Sequence, residues 1–232
     1  MDEFRIIVIV AVFFTSIPMI IGLFGYQKLN NSMRLLSILF VIMFLVEAYG
    51  LYQTFIFGDN RWIFHFYTPI EFTLLLAVFY KWQSLRVIKR MIILLIIGFI
   101  TFCIINSAFI DNSVFIWLNG SLLLNTHVSF NYLPIKISDI IYVAVASLTL
   151  IRIFIQDKGS ITSEPAFWVS AALLLFASSA IVFFVFIELI SSQRIVLIWI
   201  LHNMVNAVAN ILYAIGLIIA YRKGSRAINE VF

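Results

Sequence analysis

Seven stretches of apolar sequence, each about as long as a bilayer is thick, leave this chain few ways to fold. They run over residues 4–25, 33–57, 62–82, 90–110, 137–156, 165–190 and 194–221, and charged or Gly/Asn-rich breaks separate each from the next. About 20 predominantly apolar residues in a helix cross the roughly 30 Å hydrocarbon core. Inside that core, water cannot satisfy backbone N–H and C=O groups, so a lone apolar segment must satisfy its own as a helix. The expectation is an all-α, polytopic membrane protein with seven transmembrane helices, forming a single domain over 1–232. Composition agrees: 63% of residues are hydrophobic, 11% are charged, and mean hydropathy is +1.10. Soluble domains are closer to half apolar and a quarter charged. Pro165 opens the sixth run, where its missing N–H costs nothing.

Orientation follows from the basic residues. Of 15 Lys and Arg, 11 fall in 26–34, 81–90, 152–164 and 222–232, all on one side; Arg5, Arg61, Lys136 and Arg194 fall on the other. The excess belongs on the cytoplasmic side, so the N-terminus is expected outside and the C-terminus in the cytoplasm, in a bacterial inner membrane. Trp62, Trp82, Trp117, Trp168 and Trp199 sit near run ends, as interfacial anchors do. The basic pI of about 9.3 therefore reflects topology, with the lipid bilayer as the expected partner and no nucleic acid. The single cysteine, Cys103, permits no disulfide within the chain and no cysteine-based metal site. The first run lacks a basic leader and a small-residue cleavage site, so it reads as a span. The loop 111–136 contains "VFIWLNGSLLL", where Asn119-Gly120 can turn a hairpin, and is a candidate lid. No internal repeat stands out, which disfavours transporters built from duplicated halves.

Polar residues inside the spans carry the functional signal. In "WILHNMVNAVANILYAIG", residues 199–216, His202, Asn203, Asn206, Asn210, Trp199 and Tyr213 share an arc of about 100° on a helix turning 100° per residue. That stripe must face the bundle or water. It is either a site or a set of hydrogen bonds tying helices together. The third run holds "HFYTPIEF", residues 65–72. Tyr67 and Glu71 share a face there, His65 and Thr68 lie beside them, and Pro69 interrupts the hydrogen-bond ladder. A carboxylate at mid-span costs roughly 2.5–3.5 kcal/mol even on the lenient insertion scale, and the second run carries another, Glu47. Glu47 and Glu71, if close, would titrate as a coupled pair. Asn106, Asp139 and Glu188 fall at or near the outer ends of their runs. Together these residues predict a polar cavity opening outward, over an inner half that is almost wholly apolar.

Several chemistries fit less well. Retinal is disfavoured because residues 195–221 contain no lysine for a Schiff base. Haem needs two facing histidines, and only His65 and His202 lie in spans. A metal-dependent hydrolase would use His65, Glu71 and His202 around an open position, with His127 contributing only from the lid; no metal or other cofactor is predicted. A proton-coupled transporter would use the same carboxyls as relays, but the inner half offers no polar path.

The segments "FWVSAALLLFASSAIVFF" (167–184) and "IWILHNMVNAVANILYAIGL" (198–217), with "YTPIEF" in the third run, resemble bacterial seven-helix membrane proteins of unassigned role. These are similar to the N-terminal membrane sensor segments of histidine kinases. The resemblance implies a sensory role. With only 11 residues after Tyr221, a signal is expected to pass to a separate cytoplasmic or membrane partner. The expected ligand-binding set is Glu47, His65, Tyr67, Glu71, His202, Asn203, Asn206 and Asn210, around an unknown small molecule. The orientation is tested at position 223: Lys223→Cys is expected to react with a membrane-impermeant maleimide only after cells are opened, and labelling of intact cells reverses the topology.

Overall fold

The computed structural model describes residues 2–57, 60–110, 132–156, 160–189 and 192–229. Its elements are α1 (Asp2–Gly25), α2 (Asn31–Phe57), α3 (Arg61–Trp82), α4 (Arg86–Ile105), α5 (Tyr132–Gln156), α6 (Pro165–Leu189) and α7 (Ser192–Asn229). Short 3-10 turns at Tyr26–Lys28 and Ile161–Ser163 join α1 to α2 and precede α6, and a π turn at Asn106–Ile110 ends α4. All seven helices are long and apolar enough to cross a membrane, so the protein is a multi-pass, all-α membrane protein. Much of the loop read as a lid, 111–131 with Asn119-Gly120 and His127, lies outside the described residues. The rest of it, from Tyr132, is the first turn and more of α5.

The helices form a closed ring. Each packs on its neighbours in chain order, and α7 returns to pack on α1. α3 also touches α5 across the ring. Half of the spanning window of α3 is buried inside the bundle, against 22% for α1, and α3 has the lowest mean hydropathy of the seven, 1.4. A helix that faces protein on most sides can carry polar groups that a lipid-facing helix cannot. α4 is the counter-case: Leu94, Ile97 and Ile104 project outward, as suits hydrocarbon. α3 runs unbroken through Pro69, and the Thr73 hydroxyl donates to the Pro69 carbonyl at 2.7 Å.

The face of the ring where α1 ends and α2 begins, here the C-terminal face, is tied across helices. Trp82 Nε1 donates to Ser32 Oγ (2.9 Å), and Gln83 Nε2 to Thr149 Oγ1 (3.3 Å). Arg152 donates to the Trp82 carbonyl and to Gln83 Oε1. Lys28 Nζ donates to Tyr221 OH at 3.2 Å, and Lys223 pairs with Glu164 at 2.5 Å. Toward mid-membrane the packing becomes apolar, with Met33, Leu36, Phe40, Leu75, Leu76 and Phe79 enclosed.

Two glycines allow close helix approach. A Cβ on Gly22 would lie 2.6 Å from Ser37 Oγ and 2.8 Å from its Cβ, setting the α1–α2 contact. A Cβ on Gly216 would lie 3.1 Å from Val169 and 3.3 Å from the Pro165 carbonyl, setting α6 against α7. Gly98, on α4, would meet nothing within 4 Å. Overpacking a close contact typically costs about 1–3 kcal/mol. Gly216→Leu is therefore expected to lower the unfolding midpoint in micelles by that order of free energy, while Gly98→Leu stays near wild type. Equal losses from both would show that the α6–α7 contact is not close.

Candidate functional site

The expected residues divide into one interior cluster, two separate histidine contacts and a set of asparagines bonded within α7. The cluster is built on α3. Glu71 sits at the middle of that helix, and Tyr67 lies one turn nearer the N-terminal face. Glu71 is within electrostatic range of Glu47 on α2, Tyr67 on its own helix, Asp139 and Tyr142 on α5, and Tyr213 on α7. Four helices thus bring three carboxyls and three phenols to one region. Thr15 of α1 lies near the Glu47 carboxyl, adding a fifth helix, while its hydroxyl donates to the Ala11 carbonyl at 3.2 Å. Ring packing holds the cluster from below. Phe72, next to Glu71, stacks on Phe99 with centroids 3.9 Å apart and leans on Tyr142 at 5.6 Å, and Tyr213 meets Phe40 edge-on at 5.1 Å.

Within this cluster, several polar atoms are buried without a hydrogen-bond partner: Glu47 Oε2, Tyr67 OH, Asp139 Oδ2 and Tyr142 OH. Tyr67 is 7% exposed, and Asp139 and Tyr142 are each 2% exposed. Glu47 and Glu71 are half-buried. Buried polar groups in folded proteins nearly always have partners, which sets these four atoms apart from the bonded groups around them.

Asp139 and Tyr142 were not among the expected site residues. An apolar run counted from 137 puts Asp139 at a helix end. The helix begins instead at Tyr132, which puts Asp139 about two turns inside, and Tyr142 shares its face three residues on. Pro134 was the available signal, since proline favours the first turn of a helix. Tyr213, noted in the stripe of the seventh run, joins the cluster with them.

The histidines lie elsewhere. His65 is buried with Nδ1 3.4 Å from Ser107 Oγ in the π turn after α4. His202 turns to α6: its Nδ1 lies 3.2 Å from Ser179 Oγ, and its ring stacks near Phe183 at 5.2 Å and leans on Phe176 at 5.8 Å. Ser179 Oγ already donates to the Phe176 carbonyl at 2.7 Å. Ser179 Oγ thus lies between the Phe176 carbonyl and the His202 ring. The asparagines bond within α7: Asn203 Nδ2 donates to the Trp199 carbonyl at 2.8 Å, and Asn210 Nδ2 to Asn206 Oδ1 at 3.3 Å. Asn210 is fully enclosed, while Asn203 and Asn206 are half-buried. Among the described residues, no three His, Cys, Asp or Glu side chains converge as metal ligands, so His65, Glu71 and His202 are not brought together. Glu188 carries no described side chain.

A groove of about 420 Å³ opens between α4 and α5, lined by Met91, Leu94, Leu95, Gly98, Phe99 and Ile141 among others. Its lining is apolar, and it includes none of the eight expected residues. The fold and the cluster together define a seven-helix membrane protein with a polar interior set toward its N-terminal face. The chain matches no known protein family, no curated protein and no solved structure.

The His202–Ser179 contact has its own expected outcome. Interhelical hydrogen bonds in membranes average about 0.6 kcal/mol and reach about 1.7. A double-mutant cycle of His202→Ala and Ser179→Ala, read by unfolding in micelles, should give a coupling in that range. A coupling of zero would remove the bond between α6 and α7.

Proposed function

We propose that this protein is a sensor or receptor-like module of the bacterial inner membrane, with its N-terminus outside and its C-terminus in the cytoplasm. In this reading it binds a small molecule in the bundle interior and signals through a separate partner. The observation that carries the reading is the incomplete cluster on α2, α3 and α5, open in hydrogen-bonding terms at Glu47, Tyr67, Asp139 and Tyr142. The likeness to membrane sensor segments of histidine kinases points the same way.

The mechanism rests on differential affinity. A ligand shifts a helix arrangement only by as much as it prefers one arrangement over another. One that bonds Glu47, Glu71 and Asp139 at once draws α2, α3 and α5 together. α3 ends at Trp82, whose indole reaches Ser32 on α2 and whose carbonyl receives Arg152 from α5. A small displacement of α3 is thereby felt by the C-terminal face, where a separate partner would have to dock. A proton-coupled transporter would use the same carboxyls, but Met33, Leu36, Leu75, Leu76 and Phe79 fill the other half with apolar side chains, which favours the sensor. A metal-dependent hydrolase would need His65 and His202 to meet at one centre, and each is engaged on a different helix pair.

The test is a small-molecule screen by thermal shift on the purified chain in nanodiscs, repeated with Glu71→Gln and Asn206→Leu. A saturable stabilisation is expected, lost with Glu71→Gln and weakened with Asn206→Leu. Each charged hydrogen bond removed should cost roughly tenfold or more in affinity. A hit that binds both variants as tightly as wild type places the ligand elsewhere and ends this reading.

A further inference from the structure

We propose that the groove between α4 and α5 binds one anionic phospholipid of the leaflet at the C-terminal face, with an acyl chain along the groove and the phosphate at Arg86 and Arg90. The proposal concerns the lipid-facing surface and does not rest on the interior pocket. α4 and α5 are the loosest neighbours in the ring, and the groove of about 420 Å³ lies between them. Met91 and Leu94 on its rim are 56% and 68% exposed, so it opens outward to hydrocarbon. A Cβ on Gly98 would meet nothing within 4 Å, which leaves room along the middle of the groove. Phe99 forms the back wall. It is buried and stacks on Phe72, which closes the groove off from the carboxyls inside. The lining on α4 runs from Met91 to Phe102, about 16 Å at a rise of 1.5 Å per residue. That is close to half of a hydrocarbon core roughly 30 Å thick, the depth that one leaflet's acyl chains fill.

The end of the groove nearest the C-terminal face carries positive charge. Arg86, Lys89 and Arg90 open α4 just before Met91, and Lys81 lies in the last turn of α3. Residues 72–110 contain no Asp or Glu, and Glu164, an acid at the same face, pairs with Lys223. The Lys89 ammonium lies over the Tyr80 ring, 5.2 Å from its centroid. Arg86 and Arg90 are exposed and form no ion pair among the described residues. They stand four residues apart on one helix face, and Leu94 of the groove follows Arg90 on that face. A guanidinium fork bonds two phosphate oxygens at once, and basic pockets between membrane helices suit anionic headgroups. A zwitterionic lipid would bring its own positive charge against these arginines. A second copy of the chain fits the face poorly. Two copies in one membrane point the same way, so meeting face to face here would set like charges against each other.

The full chain is purified in dodecyl maltoside, stripped of lipid and titrated with dioleoyl phosphatidylglycerol or dioleoyl phosphatidylcholine. Bound lipids are counted by native mass spectrometry while the unfolding midpoint is followed. The expected result is one retained phosphatidylglycerol that stabilises the fold, with phosphatidylcholine at least about tenfold weaker. Arg86→Gln and Arg90→Gln should each weaken phosphatidylglycerol about fivefold and leave phosphatidylcholine unchanged. Gly98→Leu should weaken both lipids, because its side chain takes the space of the acyl chain. Equal binding of the two lipids overturns the proposal, as do arginine variants that bind phosphatidylglycerol like wild type. Binding that Gly98→Leu leaves intact puts the chain outside the groove and overturns it too. Disulfide cross-linking of Leu94→Cys between copies, with no lipid preference, assigns the face to a dimer instead. Should the variants not fold, wild type is photo-crosslinked with a phosphatidylglycerol that carries a diazirine in its acyl chain. Adducts within 91–102 support the site, and adducts confined to other helices overturn it.

Discussion

Hydrocarbon offers no partner to a polar group, and the placement of α3 answers that constraint for the whole bundle. The ring closes through α1 and α7, α3 leans inward to touch α5, and its polar residues are sheltered from lipid. Tyr67, Thr68 and His65 are buried on it, while Phe66 and Ile70 look outward. If α3 sat on the rim as α4 does, Glu71 would face lipid at a cost of roughly 2.5–3.5 kcal/mol or more. The other polar residues gather around it: Glu47, Asp139, Tyr142 and Tyr213 all lie within electrostatic range of Glu71, and Tyr142 packs on Phe72 of α3.

The two halves of the bundle do different work. Toward the C-terminal face, cross-helix bonds among Trp82, Ser32, Gln83, Thr149 and Arg152 lock helix ends together above an apolar layer. Toward the N-terminal face, polar atoms gather and some go unpartnered. His202 and the α7 asparagines belong mostly to the first kind of work even though they lie in the second half. They satisfy themselves within α7 or across to Ser179, as intramembrane polar groups commonly do.

Part of the site was legible because a charge in an apolar run stands out. Glu47 and Glu71 were recognisable that way, and Tyr67 by sharing a helix face with Glu71 four residues on; the structure sets all three within electrostatic range. Asp139 was visible as a charge but misplaced at a helix end, because the fifth run was measured from Ile137 and Pro134 was not read as a first-turn residue. Tyr142 gave no signal, since an isolated tyrosine in a span usually reads as packing. His202 was grouped with Asn206 and Asn210 by helical angle. Angle says which side chains share a face, and a face about 100° wide can meet two neighbours at once. His202 meets α6, while Tyr213 meets the interior.

The pattern of apolar runs dictates a helical chain that crosses the membrane seven times, because unpaired backbone groups in lipid leave no alternative to the helix over runs of that length. The sequence by itself also determined which helices carry polar groups and roughly at what depth, since depth follows from a rise of 1.5 Å per residue. Only the tertiary structure decided which of those groups meet. Long-range contact depends on the order of helices around the ring and the rotation of each about its axis. Close approaches at Gly22 and Gly216 and ring packing at Phe72 set that rotation, and none of these is a local property of any one span.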